Sequence, residues 1–143
     1  MIIHTASEGI TLSKKLETES AEFYEKLAGL YKEGADVFLS FAKENEKNVV
    51  QIDRAYYGVI TDAIEGGYAF NIDPDDYSLS MILKDGVEYA DVLKQTMEIE
   101  KTIVRFYTDA AEQSKPLLAD VPRTFTLIAR KRGKRLEKLG SLL

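Results

Sequence analysis

The sequence predicts an all-α domain, a four-helix bundle made of two helical hairpins joined by a long crossover between helices two and three. Apolar residues recur at helical spacing along most of the chain, and no stretch sustains the period-two alternation of a half-buried strand. The connections inside each half are short, whereas the middle one runs from Gly66 to Gly86. The two halves also repeat one another around a shared Glu and a Phe-Tyr pair.

The first helix is expected from Thr11 to Lys32, with Leu12, Leu16, Phe23, Leu27 and Leu30 as its apolar stripe and Gly34 as a stop. Asp36 can cap the second, which carries Phe38, Phe41, Ile52 and Val59 to Ile64 and ends at Gly66-Gly67. The middle connection holds enough apolar residues for a short helix around Leu79–Leu83. A third helix follows Gly86, with Val92, Leu93, Met97, Ile103 and Phe106, and stops before Pro116. Asp120, with Pro122 just inside, starts the fourth, whose stripe is Val121, Phe125, Ile128, Leu136 and Leu139. A simple up-down-up-down bundle needs no long middle connection. A chain that must travel the length of the bundle before its third helix does.

Composition narrows the function classes. A length of 143 residues suits one domain spanning 1–143, and folding such a chain buries about 70% of its unfolded surface. With 45% hydrophobic and 30% charged residues, disorder is not the expectation. The absence of cysteine excludes disulfides, thiolate metal sites, iron–sulfur centres and thiol catalysis. No apolar run spans a bilayer and no charged-then-apolar leader opens the chain, so a cytoplasmic location is expected. A net charge of −5 argues against broad nucleic-acid binding. The basic stretch Arg130–Lys138 reads most simply as a helix ending in cations that complement its dipole; an anion site is the competing reading.

The repeat places polar residues in the core. Glu17, Phe23 and Tyr24 recur at one common offset as Glu100, Phe106 and Tyr107, and the stretch from Phe41 matches that from Ile128 at a slightly longer one. Heptad counting through Leu93, Met97, Glu100, Val104, Tyr107 and Ala111 puts Glu100 inside an apolar seam. Glu17 has the same setting beside Ala21, Tyr24 and Ala28. On helix two the run Phe38, Phe41, Asn45, Asn48, Ile52 turns two asparagines inward. On helix four Phe125, Ile128, Arg132, Arg135 and Leu139 does the same for two arginines. The plainer alternative makes Glu17 and Glu100 boundary residues and leaves the asparagines partly exposed, with the seam shifted by one position. Tyr24 and Tyr107 read as core aromatics whose hydroxyls bond the glutamates. Met81 and Met97 read as packing residues, and Tyr68, Phe70 and Tyr77 as an aromatic group sealing one end or supporting a dimer contact.

From about Ile10 to Leu139 the chain resembles the rubrerythrin-like branch of the ferritin-like superfamily. In that family helices one and three each supply a Glu ahead of a Phe-Tyr pair, helices two and four each supply Glu-x-x-His, and the six side chains hold two irons. Here Glu17 and Glu100 keep the single glutamates. The expected Glu-x-x-His reads Asn45-Glu46-Lys47-Asn48 after Ala42, and Arg132-Gly133-Lys134-Arg135 after Ala129. Arginine has no lone pair to give a cation, and amide oxygens are weak iron ligands. Glu44 and Glu46, one residue either side of Asn45, are turned roughly 100° from the seam. His4, the only histidine, lies ahead of the first helix.

Two glutamates and two arginines sum to zero charge, which predicts that Arg132 and Arg135 hydrogen-bond Glu17 and Glu100, with Asn45 and Asn48 completing the network. The favoured expectation is a non-catalytic member of the fold, a binding or assembly module that holds no cofactor and forms a homodimer. The alternative is a rubrerythrin-like iron oxidase, peroxidase or storage protein with an altered site, its residual metal at Glu17 and Glu100.

Overall fold

The computed structural model describes residues 1–57, 67–116 and 120–143. Among these, four long helices dominate: α1 (Ala6–Leu30), α2 (Ala35–Tyr57), α3 (Tyr89–Ser114) and α4 (Asp120–Leu142). α1 starts more than a turn before the expected Thr11, because Thr5 and Glu8 form a capping box. The Thr5 hydroxyl accepts from the Glu8 N–H at 3.1 Å, and the Glu8 carboxylate accepts from the Thr5 N–H at 3.1 Å. α3 and α4 begin and end close to expectation. Asp36 is not the cap of α2 but sits inside its first turn, where a carboxylate still complements the dipole. The expected continuation through Val59 and Ile64 to Gly66 lies outside the described residues.

A two-stranded antiparallel ribbon departs from the all-helical expectation. β1 (Ile3–Thr5) pairs with β2 (Tyr68–Ile72), with Ile3 opposite Ile72 and Thr5 opposite Tyr68. Strands this short cannot display a period-two signal. Ile3, Phe70 and Ile72 are buried, whereas Tyr68 is exposed and stacks on His4 with ring centroids 4.9 Å apart. Phe70 lies across Gly9 so closely that a Cβ there would overlap its ring, which accounts for a glycine inside α1. The three aromatics of the middle connection therefore do not form one cluster. Phe70 plugs the end beside Phe125, while Tyr77 packs edge-on to Phe106.

Side-chain contacts fix the direction of each helix. At the ribbon end lie the start of α1, the Phe125 turn of α4, and Gln113 late in α3, which accepts from the Asn71 N–H at 2.7 Å. At the other end Tyr31, after α1, packs on Tyr89 at the start of α3, and Gly34 fits against both Phe38 and the Tyr89 hydroxyl. α1 and α4 thus run one way, α2 and α3 the other. The closest pairings are α1 with α2 and α3 with α4, followed by α2 with α4.

Residues 73–88 run back along α3. Tyr77 donates to Asp109, Arg105 donates to the Asp76 carbonyl at 2.6 Å, Gln95 donates to the Ser80 and Ile82 carbonyls, and Tyr31 donates to the Val87 carbonyl at 2.7 Å. The short helix expected around Leu79–Leu83 does not form. Leu79, Met81 and Leu83 are half-buried while Ser80, Ile82 and Lys84 are exposed, the alternation of an extended strap. The helical turn that does form is Pro74–Tyr77, a 3-10 turn capped by Asp73. Leu30, assigned to the apolar stripe, is 63% exposed. The last turn of α4 carries no cation, so the stretch Arg130–Lys138 does not serve the helix dipole as expected. Two of its arginines point into the core.

Candidate functional site

Midway along the helices, the polar residues singled out from the sequence meet in one buried cluster. Glu17, Asn48, Glu100 and Arg132 are 0% exposed, Asn45 is 1% and Arg135 is 2%. Each element delivers two side chains of one inward face: Asn45 and Asn48 from neighbouring turns of α2, Arg132 and Arg135 from neighbouring turns of α4, and Glu17 with Tyr24 on α1 and Glu100 with Tyr107 on α3 about two turns apart. The shifted-seam alternative is thereby excluded.

Arg132 is the hub. Its Nη1 donates to Glu100 Oε1 at 2.7 Å and Oε2 at 2.9 Å, while its Nη2 and Nε donate to Glu17 Oε2 at 2.8 and 3.1 Å. Nη2 also reaches Ser20 Oγ at 3.0 Å and Asn45 Oδ1 at 3.2 Å. The planar fork of a guanidinium is what allows one cation to bridge two carboxylates from opposite hairpins. Arg135 donates to Glu100 Oε1 at 3.1 Å and Asn45 Oδ1 at 2.6 Å, and lies over the Phe41 ring at 4.8 Å. Of the two glutamates it reaches Glu100, and its second carboxylate is Glu44, at 2.8 Å.

The tyrosines cross between the halves. Tyr24 of α1 donates to Glu100 of α3 at 2.5 Å, and Tyr107 of α3 donates to Glu17 of α1 at 2.7 Å. This reciprocal exchange is the spatial form of the internal repeat. Asn48 Nδ2 donates to Glu17 Oε1 at 2.8 Å, and Asn45 Nδ2 donates to the Glu17 carbonyl and to Ser20 Oγ. All four carboxylate oxygens of the pair are hydrogen-bonded.

Three participants were missed. Ser20 lies one turn after Glu17 on the same face, so its position was available from spacing. Helical spacing turns Glu44 away from the seam, but its long side chain, one-third exposed, returns to Arg135 from the rim. Lys131 belongs to the basic stretch, and its Nζ donates to Asn48 Oδ1 at 2.6 Å. The charge count is therefore three carboxylates against three cations, not two against two, and it still closes.

Electrostatics follow from burial and pairing. Burial pushes the Glu100 carboxyl up, but the Arg132 and Arg135 guanidiniums outweigh it and hold it below the usual value. For Arg132 burial lowers affinity for its proton, while Glu100 and Glu17 more than offset this and raise it well above the usual value. Burial, then the adjacent carboxylate, drives the Tyr24 and Tyr107 hydroxyls well above the ordinary tyrosine range, so both act as neutral donors.

The donor set does not fit a pair of irons. The space between Glu17 and Glu100 is filled by a guanidinium with no lone pair, and the positions of two carboxylates and two imidazoles are held by amides and arginines. Among the described residues no group of three or more His, Cys, Asp or Glu side chains is close enough to hold a metal ion, and no helix is long and apolar enough to cross a membrane. No family model, curated protein or solved structure matches the chain.

Proposed function

We propose that this chain is a ferritin-like, rubrerythrin-like helical module that performs no metal chemistry and works as a binding or assembly unit, its centre held by internal ion pairs. The bridge from Arg132 to both Glu17 and Glu100, all at 0% exposure, carries this reading. The Arg132 and Arg135 guanidiniums balance Glu17 and Glu100, where in the family two ferrous ions balance four glutamates. The order of helices, the long connection beside α3 and the Tyr–Glu exchange between halves support the ferritin-like assignment. Burying so many paired charges contributes little net stability compared with apolar packing, but it penalises every arrangement in which one partner is displaced. A single rigid geometry suits a scaffold whose outer helix faces meet another protein, and a homodimer is the simplest such assembly.

Elemental analysis of protein expressed with excess iron tests the reading. The expected result is a folded helical protein with no stoichiometric transition metal. One or two irons per chain would replace this reading with that of an iron oxidase, peroxidase or storage protein.

A further inference from the structure

We propose that Lys131 of α4 and Asn48 of α2 form an intramolecular isopeptide bond, with the Glu17 carboxylate as the proton carrier. Lys131 Nζ lies 2.6 Å from Asn48 Oδ1. Since a carbonyl bond is about 1.23 Å long, Nζ is within about 3.8 Å of the Asn48 Cγ carbon, at the edge of the roughly 3–3.5 Å needed for attack. The far side of the same amide is equally well placed. Its Nδ2, the atom that must leave, donates to Glu17 Oε1 at 2.8 Å. Glu17 is itself fixed by Tyr107 and Arg132, and the Asn48 carboxamide is sealed from solvent.

The nucleophile is prepared by its surroundings. Lys131 is half-buried, and burial draws its amine below the ordinary lysine value against the opposing pull of Glu44 and Glu17, with Arg135 and Lys47 adding to the decrease. Loss of one proton to water from this half-exposed side chain frees the nitrogen lone pair that attack requires. The flexible stem can then carry the free amine from the carbonyl edge over its face. Gln51 Oε1, at 3.2 Å, accepts from the same nitrogen and steers it. Gln51 is exposed, and the carboxylate bonded to an amide nitrogen here is on Asn48, which selects Asn48 as the electrophile.

The step balances without an oxidant or reductant. The Lys131 Nζ–Cγ bond forms as the carbonyl π pair moves onto Oδ1. Return of that pair breaks the Cγ–Nδ2 bond. Once Nζ and Nδ2 sit side by side on the tetrahedral Cγ, Glu17, already hydrogen-bonded to Nδ2, relays the surplus proton from Nζ to Nδ2, which leaves as ammonia. One amide replaces another, and α2 is tied to α4 beside the buried ion pairs.

Intact-mass spectrometry of the denatured full-length chain decides the matter. The expected wild-type mass is below the sequence mass by one ammonia, with a tryptic fragment joining a peptide of α2 to one of α4 through Lys131 and Asn48. Lys131→Arg keeps the charge and a donor but has no nucleophilic amine, so this variant is expected folded, at its full sequence mass and without the joined fragment. Wild-type protein that remains at its full sequence mass after prolonged incubation in the folded state overturns the proposal, leaving a plain hydrogen bond. An equal mass loss in Lys131→Arg overturns it too, by placing the loss elsewhere.

Discussion

Arg132 joins two carboxylates that have no access to water, and its removal leaves both without their shared cation. Tyr24, Tyr107, Asn48 and Arg135 remain, but of these only Arg135 carries charge, and of the two glutamates it reaches Glu100 and not Glu17. Arg132→Ala is therefore expected to lower unfolding stability by about 3–5 kcal/mol, the cost of breaking a buried pair on one side. Urea denaturation followed by circular dichroism checks this, and a change below about 1 kcal/mol would mean that water reaches the carboxylates. The inward positions of Glu17, Asn45, Asn48, Glu100, Arg132 and Arg135 were legible because helical spacing fixes which Cα faces the seam. Their partners were less so. Glu44 and Lys131 reach in from rim positions on long, flexible side chains, and spacing places a backbone without saying how far its side chain extends.

At the level of elements, the helix interiors could be read and their edges could not. α3 and α4 begin beside Gly86 and at Asp120 as their turn residues announce. The start of α1 depends on four residues, Thr5 to Glu8, whose capping box is a recognisable signature that the apolar stripe from Leu12 does not include. The ribbon is too short to show alternation, and the Leu79–Leu83 stretch is apolar enough for a helix yet serves as an extended strap on α3. Gly9 shows why the ribbon matters to α1. Gly9→Ala gains helix propensity in isolation but forces a methyl into the Phe70 ring, and the overlap is expected to dominate at about 1–3 kcal/mol of destabilisation. Thermal unfolding of the variant measures the balance. A raised melting temperature would show that Phe70 can move aside without loss.

For the molecule as a whole, the buried network sets a pH window. Glu100 has a folded pKa below its usual 4.5, so its contribution is complete above that value and is lost as the pH falls through the usual carboxylate range toward the folded one. Tyr24 and Tyr107 have folded values above the usual 10.0, so their contribution is complete below pH 10 and declines above it, as the unfolded chain ionises first. Unfolding midpoints are expected to be flat between these limits and to fall on both sides. A midpoint that rises on acidification below pH 4.5 would contradict the ionised state of Glu100.

That four long helices make up most of the molecule was legible at this scale, because four apolar stripes recur at helical spacing. That the centre would be charged yet closed rested on the count of glutamates against arginines. Diffraction at the iron absorption edge, from crystals of protein grown with excess iron, tests that claim most directly. The account predicts the Arg132 guanidinium between Glu17 and Glu100 and no anomalous signal there. An anomalous peak bridging the two carboxylates, with Arg132 displaced, would contradict it.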